Sequence, residues 1–243
     1  MKEQAIIFIH GYLGHPRQFE GLLERLEGCG ADCFNLLLPG HGAPLDRFVK
    51  TGMAEWERFS FSEIERIKKE YSTVVLVGHS MGGLLAISSA LKQPEKITRI
   101  VAMALPLGIK LSPKGIGVLV KSVQKKKGED SVQVASARRL RGVSGISIAN
   151  SVRLLPSAIG LLRAMRRIKG QLSQLSVPLT AIYSELDEIV SEKALSALKA
   201  VDRAEILRFK ACSHFMYLPE ATDMIYLQIK AALNVQSAEI TNV

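Results

Sequence analysis

This chain has few cysteines and few aromatic residues. Cys29, Cys33 and Cys212, three in 243 residues, are too few and too irregularly spaced for a disulfide framework, and no Cys-x-x-Cys pair or clustered histidine spacing marks a metal site. Reduced thiols are the expectation. Long apolar runs are also missing: no stretch reaches the roughly 18 residues of a membrane span, and the start, Met1 to Gln4 followed only by Ala5 to Ile9, lacks the long apolar core and small-residue cleavage site of a signal peptide. A cytoplasmic location follows as an expectation. Aromatics make up 6% of the chain, and none falls between Lys110 and Lys169, where the basic charge is concentrated. Nucleic-acid binding normally interleaves aromatics with a basic face, so no nucleic-acid partner is expected.

What is present fits one α/β domain. Hydrophobic residues make up 47% of the chain and are spread evenly. Ala5 to Ile9, Asp32 to Leu38, Thr73 to Val77, Ile97 to Ala104, Val177 to Tyr183 and Ala204 to Phe209 read as strands. Between them lie helical patterns: from Pro16 with Phe19, Leu22, Leu23 and Leu26; one carrying Trp56, Phe59, Ile67 and Tyr71; Leu84 to Lys92; about Ser191 to Ala200; and about Pro219 to Asn234. Such alternation implies right-handed crossovers and a mostly parallel open sheet flanked by helices.

The interval from about 105 to 176 breaks this rhythm with helical patterns where strands would be due, and is expected to be an inserted helical cap. Within it, Leu155, Ala158, Ile159, Leu162 and Met165 line one helical face that is expected to pack over a pocket, with Arg163, Arg166 and Arg167 elsewhere on the circumference. Lys125 to Asp130 reads as an exposed loop. The interval from Lys110 to Lys169 holds 14 Lys/Arg against Glu129 and Asp130, a local charge of +12 within a chain of net charge +9. Weak association of this basic cap with an anionic membrane surface is a further expectation.

The chemistry centres on Gly78-His79-Ser80-Met81-Gly82, a Gly-x-Ser-x-Gly set between an apolar strand and a helix. A sharp strand-to-helix turn needs glycine on both sides and pushes the serine hydroxyl toward substrate, while the helix start aims free N–H groups at a developing oxyanion. A serine needs a base, and the base needs a carboxylate to hold its tautomer. His10, His15, His41, His79 and His214 are the available histidines. His214 lies after the last strand, where loops at the carboxyl ends of an open α/β sheet converge. The loop after Val177 to Tyr183 carries Glu185, Asp187 and Glu188. Asp187 is favoured because Ile189-Val190 return to the core and Ser191 is placed to cap the next helix; Glu185 is the reserve and Glu188 a further alternative. Cys212, two residues from His214, is a weaker rival nucleophile.

These residues resemble the α/β-hydrolases of the bacterial carboxylesterase and monoacylglycerol-lipase type. The likeness is carried by His10-Gly11-Tyr12-Leu13-Gly14, Leu38-Pro39-Gly40-His41-Gly42, Gly78 to Gly83, Asp187 with Ile189-Val190, and His214 with Phe215, in the order Ser, Asp, His. The resemblance implies an oxyanion hole made by the main-chain N–H groups of Tyr12 and Met81. It also implies a cap that shapes the acyl pocket; the sequence departs from larger members in opening directly at the strand before His10, so a fold shortened at its N-terminus is expected. A serine esterase is expected, one that cleaves short- to medium-chain acyl esters or monoacylglycerol-like lipids as small-molecule substrates, with no cofactor. Thioester hydrolysis, carbon–carbon bond hydrolysis, acyl transfer and non-catalytic ligand binding are alternatives that the same fold allows.

Overall fold

A computed structural model describes residues 2–110, 112–124, 130–199 and 201–239. Six parallel strands form its main sheet: β1 (Lys2–Ile9), β2 (Asp32–Leu36), β3 (Tyr71–His79), β4 (Ile97–Met103), β5 (Leu179–Ser184) and β6 (Ala204–Phe209). Their spatial order is β2-β1-β3-β4-β5-β6. The chain runs outward from β1 to β2, then restarts on the other side of β1 with β3. The order therefore reverses between β1 and β3, the place where open α/β sheets leave a crevice at the carboxyl ends of their strands.

Alternation along the strands builds two cores. Ile7, Ile9, Leu76, Ile100 and Leu179 face one side, where α2 (Met53–Lys68) and α3 (Met81–Lys92) cover them. Ile6, Phe8, Val75, Val77 and Val101 face the other, against α1 (Glu20–Leu26) and α8 (Pro219–Glu239) through Phe19, Leu22, Ile225 and Ile229. Strands covered on both faces carry nearly continuous apolar runs, which is why they stand out in the sequence.

Several boundaries differ from the sequence reading, two of them for a plain physical reason. Tyr71 begins β3 and does not continue α2: its main chain pairs with Lys2, and its buried ring sends the hydroxyl to Asp32. β2 stops at Leu36 because the Leu38 N–H donates to the His10 ring (3.1 Å) and not to the ladder. The helix expected over Ser191 to Ala200 is α7, Lys193–Leu198; Ala200 lies outside the described residues, as does the Lys125 to Asp130 loop apart from Asp130 itself.

Between β4 and β5 run α4 (Pro113–Val123), α5 (Val132–Leu140) and α6 (Leu155–Gln171). Ser112 Oγ caps α4 and Ser131 Oγ caps α5, accepting the Gly115 and Val134 N–H groups. The segment is not wholly helical: Val143–Ser144 pairs in parallel with Ala43–Pro44. Arg138 closes it internally, its guanidinium donating to the carbonyls of Lys121, Ser122 and Gln124 and to Asp130.

Helix α6 is rotated from its expected orientation. Ser157, Ala164, Met165 and Ile168 are buried, the last three in the main core, whereas Leu155, Ile159 and Leu162 are 54%, 46% and 39% exposed. Small residues decide this: Gly160 sits so close to Met53 that an added Cβ would come within 3.3 Å of the Met53 Cβ, and Ala164 lies on the same side. The small face admits the close approach, and the bulkier Leu155, Ile159 and Leu162 turn outward.

Candidate active site

β3 ends at His79, α3 begins at Met81, and Ser80 joins them at φ 51°, ψ −116°. This is a left-handed backbone carried by a residue with a side chain, the kind of strain stored at functional turns. The turn is possible because of its glycines. A Cβ at Gly78 would come within 2.4 Å of the Gly83 nitrogen, and one at Gly82 within 1.8 Å of the Ile9 carbonyl oxygen. The Ser80 N–H is held by the Met103 carbonyl at 2.8 Å, which fastens the turn to β4.

The loop after β5 supplies Asp187. Its Oδ1 accepts the Ile189 and Val190 N–H groups (2.8 and 2.7 Å), folding the loop back on itself. Its Oδ2 meets His214 Nδ1 at 2.9 Å. Asp187 is 1% and His214 4% exposed. Burial alone would raise the Asp187 carboxyl, but the His214 ring, its hydrogen bond and the Val190 and Ile189 N–H groups outweigh burial and hold the carboxyl below its ordinary range. Glu185 is exposed. Ser191 does not cap α7 as expected: its Oγ has no hydrogen-bond partner among the described residues, and Asp187 itself makes the turn.

The structure thus joins Asp187 to His214. It also sets His214 against the turn that carries Ser80: His79 Nε2 lies 2.9 Å from the His214 carbonyl oxygen, and the two rings are 5.0 Å apart. A carbonyl can only accept, so His79 Nε2 carries the proton. No hydrogen bond joins Ser80 to the His214 ring among the described residues; such bonds are often long before substrate binds. The contribution of His79 leaves no mark in the sequence, where it occupies the unspecified position before the serine in Gly-x-Ser-x-Gly.

Tyr12 lies in the loop after β1, beside Leu13, whose φ is +56°. Neither the Tyr12 nor the Met81 main-chain N–H makes a hydrogen bond among the described residues. The Tyr12 hydroxyl reaches Ser157 Oγ at the start of α6 (2.7 Å), and its ring packs against Phe48 and Trp56. The Leu13 carbonyl accepts the Gly142 N–H at 2.7 Å, so the β4 to β5 segment grips this loop at two points. A cavity of about 380 Å³ opens beside His79 and His214, walled by Met103, Phe215, Tyr217 and Ile225. Ser80 is not among its lining residues. Cys212 is buried, and burial raises its thiol, which opposes a nucleophilic role.

Three further histidines stay neutral because burial disfavours their charged forms. His10 is lowered to about 3 by burial and by His41 beside it, His41 to about 4 by burial, and His79 to about 3 by burial and by the His214 ring. Below the ordinary value of 6.5 the unfolded chain takes up protons that these folded-state rings refuse. The stability they allow is therefore complete above about pH 6.5, falls as pH drops, and stops falling only near the folded-state values. Three such groups amount to about 4 kcal/mol lost between about pH 7 and about pH 5.5, a fall of roughly 10 °C in Tm. A calorimetric Tm that stays level over this interval would contradict the neutral, buried state of these rings.

Comparison with known proteins agrees with this architecture. The Hydrolase_4 family, described as serine aminopeptidase, S33, matches residues 1–142. Monoglyceride lipase from Homo sapiens is 24% identical, over 97% of this chain and 84% of its own length. Among solved structures, a chain described under LipS and LipT, two metagenome-derived lipolytic enzymes, gives a TM-score of 0.73 at 17% identity, over 96% of this chain and 94% of the other. The monoacylglycerol lipase of Paleococcus ferrophilus gives 0.68 at 22% identity, over 94% and 93%. The chain belongs to the Hydrolase_4 (serine aminopeptidase, S33) family of α/β-hydrolases.

Proposed function

We propose that Ser80, His214 and Asp187 carry the reaction of this serine ester hydrolase, with the Tyr12 and Met81 N–H groups as its oxyanion hole. The observation that carries this assignment is the buried Asp187–His214 pair lying against the strained turn of Ser80. Ser80 Oγ attacks the ester carbonyl as His214 Nε2 takes its proton, and the two N–H groups hold the oxyanion. His214 then gives the proton to the departing alcohol, leaving an acyl-Ser80 that water, activated by the same imidazole, hydrolyses. Asp187 keeps Nδ1 protonated, so that Nε2 presents its lone pair, and stabilises the imidazolium. Donors fixed before reaction need no reorganisation, and each is worth roughly 3 to 4 kcal/mol.

The substrates we assign are short- to medium-chain acyl esters or monoacylglycerol-like lipids, and the residues from about 105 to 176 are the cap over the site. The lipase relatives and the Tyr12–Ser157 and Leu13–Gly142 contacts support this. Graded p-nitrophenyl acyl esters and a monoacylglycerol test it. Turnover peaking at a short or medium acyl length is expected; turnover of amides or thioesters with none of any ester would overturn it.

The cap is also assigned to an anionic lipid surface. Leu155, Ile159 and Leu162 form an exposed stripe along α6, flanked by exposed Arg163, Arg166 and Lys169. Among the described residues no helix is long and apolar enough to cross a membrane. Co-sedimentation with phosphatidylglycerol vesicles is expected to exceed that with phosphatidylcholine, to weaken with salt, and to fall about tenfold in Leu155→Ser/Ile159→Ser. Equal, salt-insensitive binding to both vesicle types would contradict it. An exposed thiol at Cys33 supports a cytoplasmic, reducing location.

A further inference from the structure

Glu188 is a buried carboxylate beside the triad to which the reaction above gives no task. It is 3% exposed. Its Oε2 accepts the main-chain N–H of His214 at 3.0 Å, while its Oε1 is buried with no hydrogen-bond partner among the described residues. Burying a carboxylate with one oxygen unpaired costs stability, so folding alone is a poor reason for this residue. Its surroundings suggest another reason. The Glu188 carbonyl accepts the Ser112 hydroxyl at 3.3 Å, and Gly115 packs so tightly there that an added Cβ would come within 2.4 Å of the same oxygen. The carboxylate therefore springs from a pinned backbone and reaches the one loop that must hold the base.

His214 is consequently gripped at three points. Its Nδ1 is held by Asp187, its carbonyl by His79 Nε2–H, and its N–H by Glu188. The first grip sets the tautomer and tilt of the ring; the other two fix the main chain from which the ring hangs. We infer that Glu188 is a positioning residue for the hydrolysis, setting through the His214 main-chain N–H how far the imidazole stands from Ser80. This rests on the triad assignment above. The required property is a hydrogen-bond acceptor at the end of a two-methylene side chain, not a negative charge. An imidazole displaced by about 1 Å costs about a hundredfold in turnover while leaving substrate binding in place.

Three near-isosteric or charge-matched variants separate the possibilities, measured as kcat and KM on p-nitrophenyl butyrate beside Ser80→Ala. Glu188→Gln keeps the acceptor without the charge and is expected to retain kcat within about threefold. Glu188→Met fills the same volume without an acceptor, and Glu188→Asp keeps the charge but is too short to reach; both are expected to lose about a hundredfold in kcat with KM within about threefold. Should Glu188→Met fail to melt cooperatively, Glu188→Asp carries the comparison. The deshielded proton resonance of the His214–Asp187 hydrogen bond is expected to persist in Glu188→Gln and to shift or vanish in the other two. Parent-like kcat in Glu188→Asp or Glu188→Met, or a Glu188→Gln as impaired as Glu188→Met, overturns the inference. Activity within about tenfold of the parent in Ser80→Ala overturns the triad instead, and the two failures are thus distinct.

Discussion

Ser80→Ala is expected to lower kcat/KM on p-nitrophenyl esters about ten-thousandfold or more, with the circular dichroism of the fold unchanged. Ser80 holds the end of β3 to the start of α3 through its main chain, the N–H to Met103 and the carbonyl to the Gly83 N–H, and alanine keeps both bonds. What is lost is the oxygen that forms the acyl bond. The oxyanion donors remain, so a residual rate above that in water survives, but nucleophile, base and acid act as a unit and removing one disables the rest. Rates within tenfold of the parent would mean that the strained turn serves another purpose.

Asp187→Asn is expected to cost about ten-thousandfold in kcat, nearly as much, for a different reason. The amide oxygen can still accept the Ile189 and Val190 N–H groups that Asp187 Oδ1 accepts now. Its NH₂ then faces His214 Nδ1 as a donor, so the ring turns to the tautomer with the proton on Nε2 and has no lone pair for Ser80. Glu185→Gln is expected to stay within about twofold of the parent, because Glu185 is exposed and outside this network. The reverse pattern would move the acid to Glu185.

The parts of the fold that were legible in the sequence are those with one dominant cause. Ile6 to Ile9 and Val74 to Val77 are buried on both faces, so their apolar runs declare strands. The turn at Ser80 showed itself because its crowding excludes all but glycine at 78 and 82. The chain order placed Asp187 and His214 at the same sheet edge, and the structure joins them. Less visible features depend on partners distant in sequence. Tyr71 has the spacing of the preceding helix, yet pairing with Lys2 claims it for the sheet. The outward face of α6 follows from Met53, about a hundred positions away, which selects the small face of the helix. His79 and Glu188 act on the His214 main chain, and main-chain contacts leave no mark on residue patterns.

Labelling with a fluorophosphonate, followed by mass spectrometry of the peptides, tests most directly whether Ser80 is the nucleophile that His214 activates. A single adduct on the peptide bearing Ser80, formed about a hundredfold or more slower in His214→Ala, is the expected result. An adduct elsewhere, at Cys212 for example, or a Ser80 that reacts as fast without His214, would contradict it.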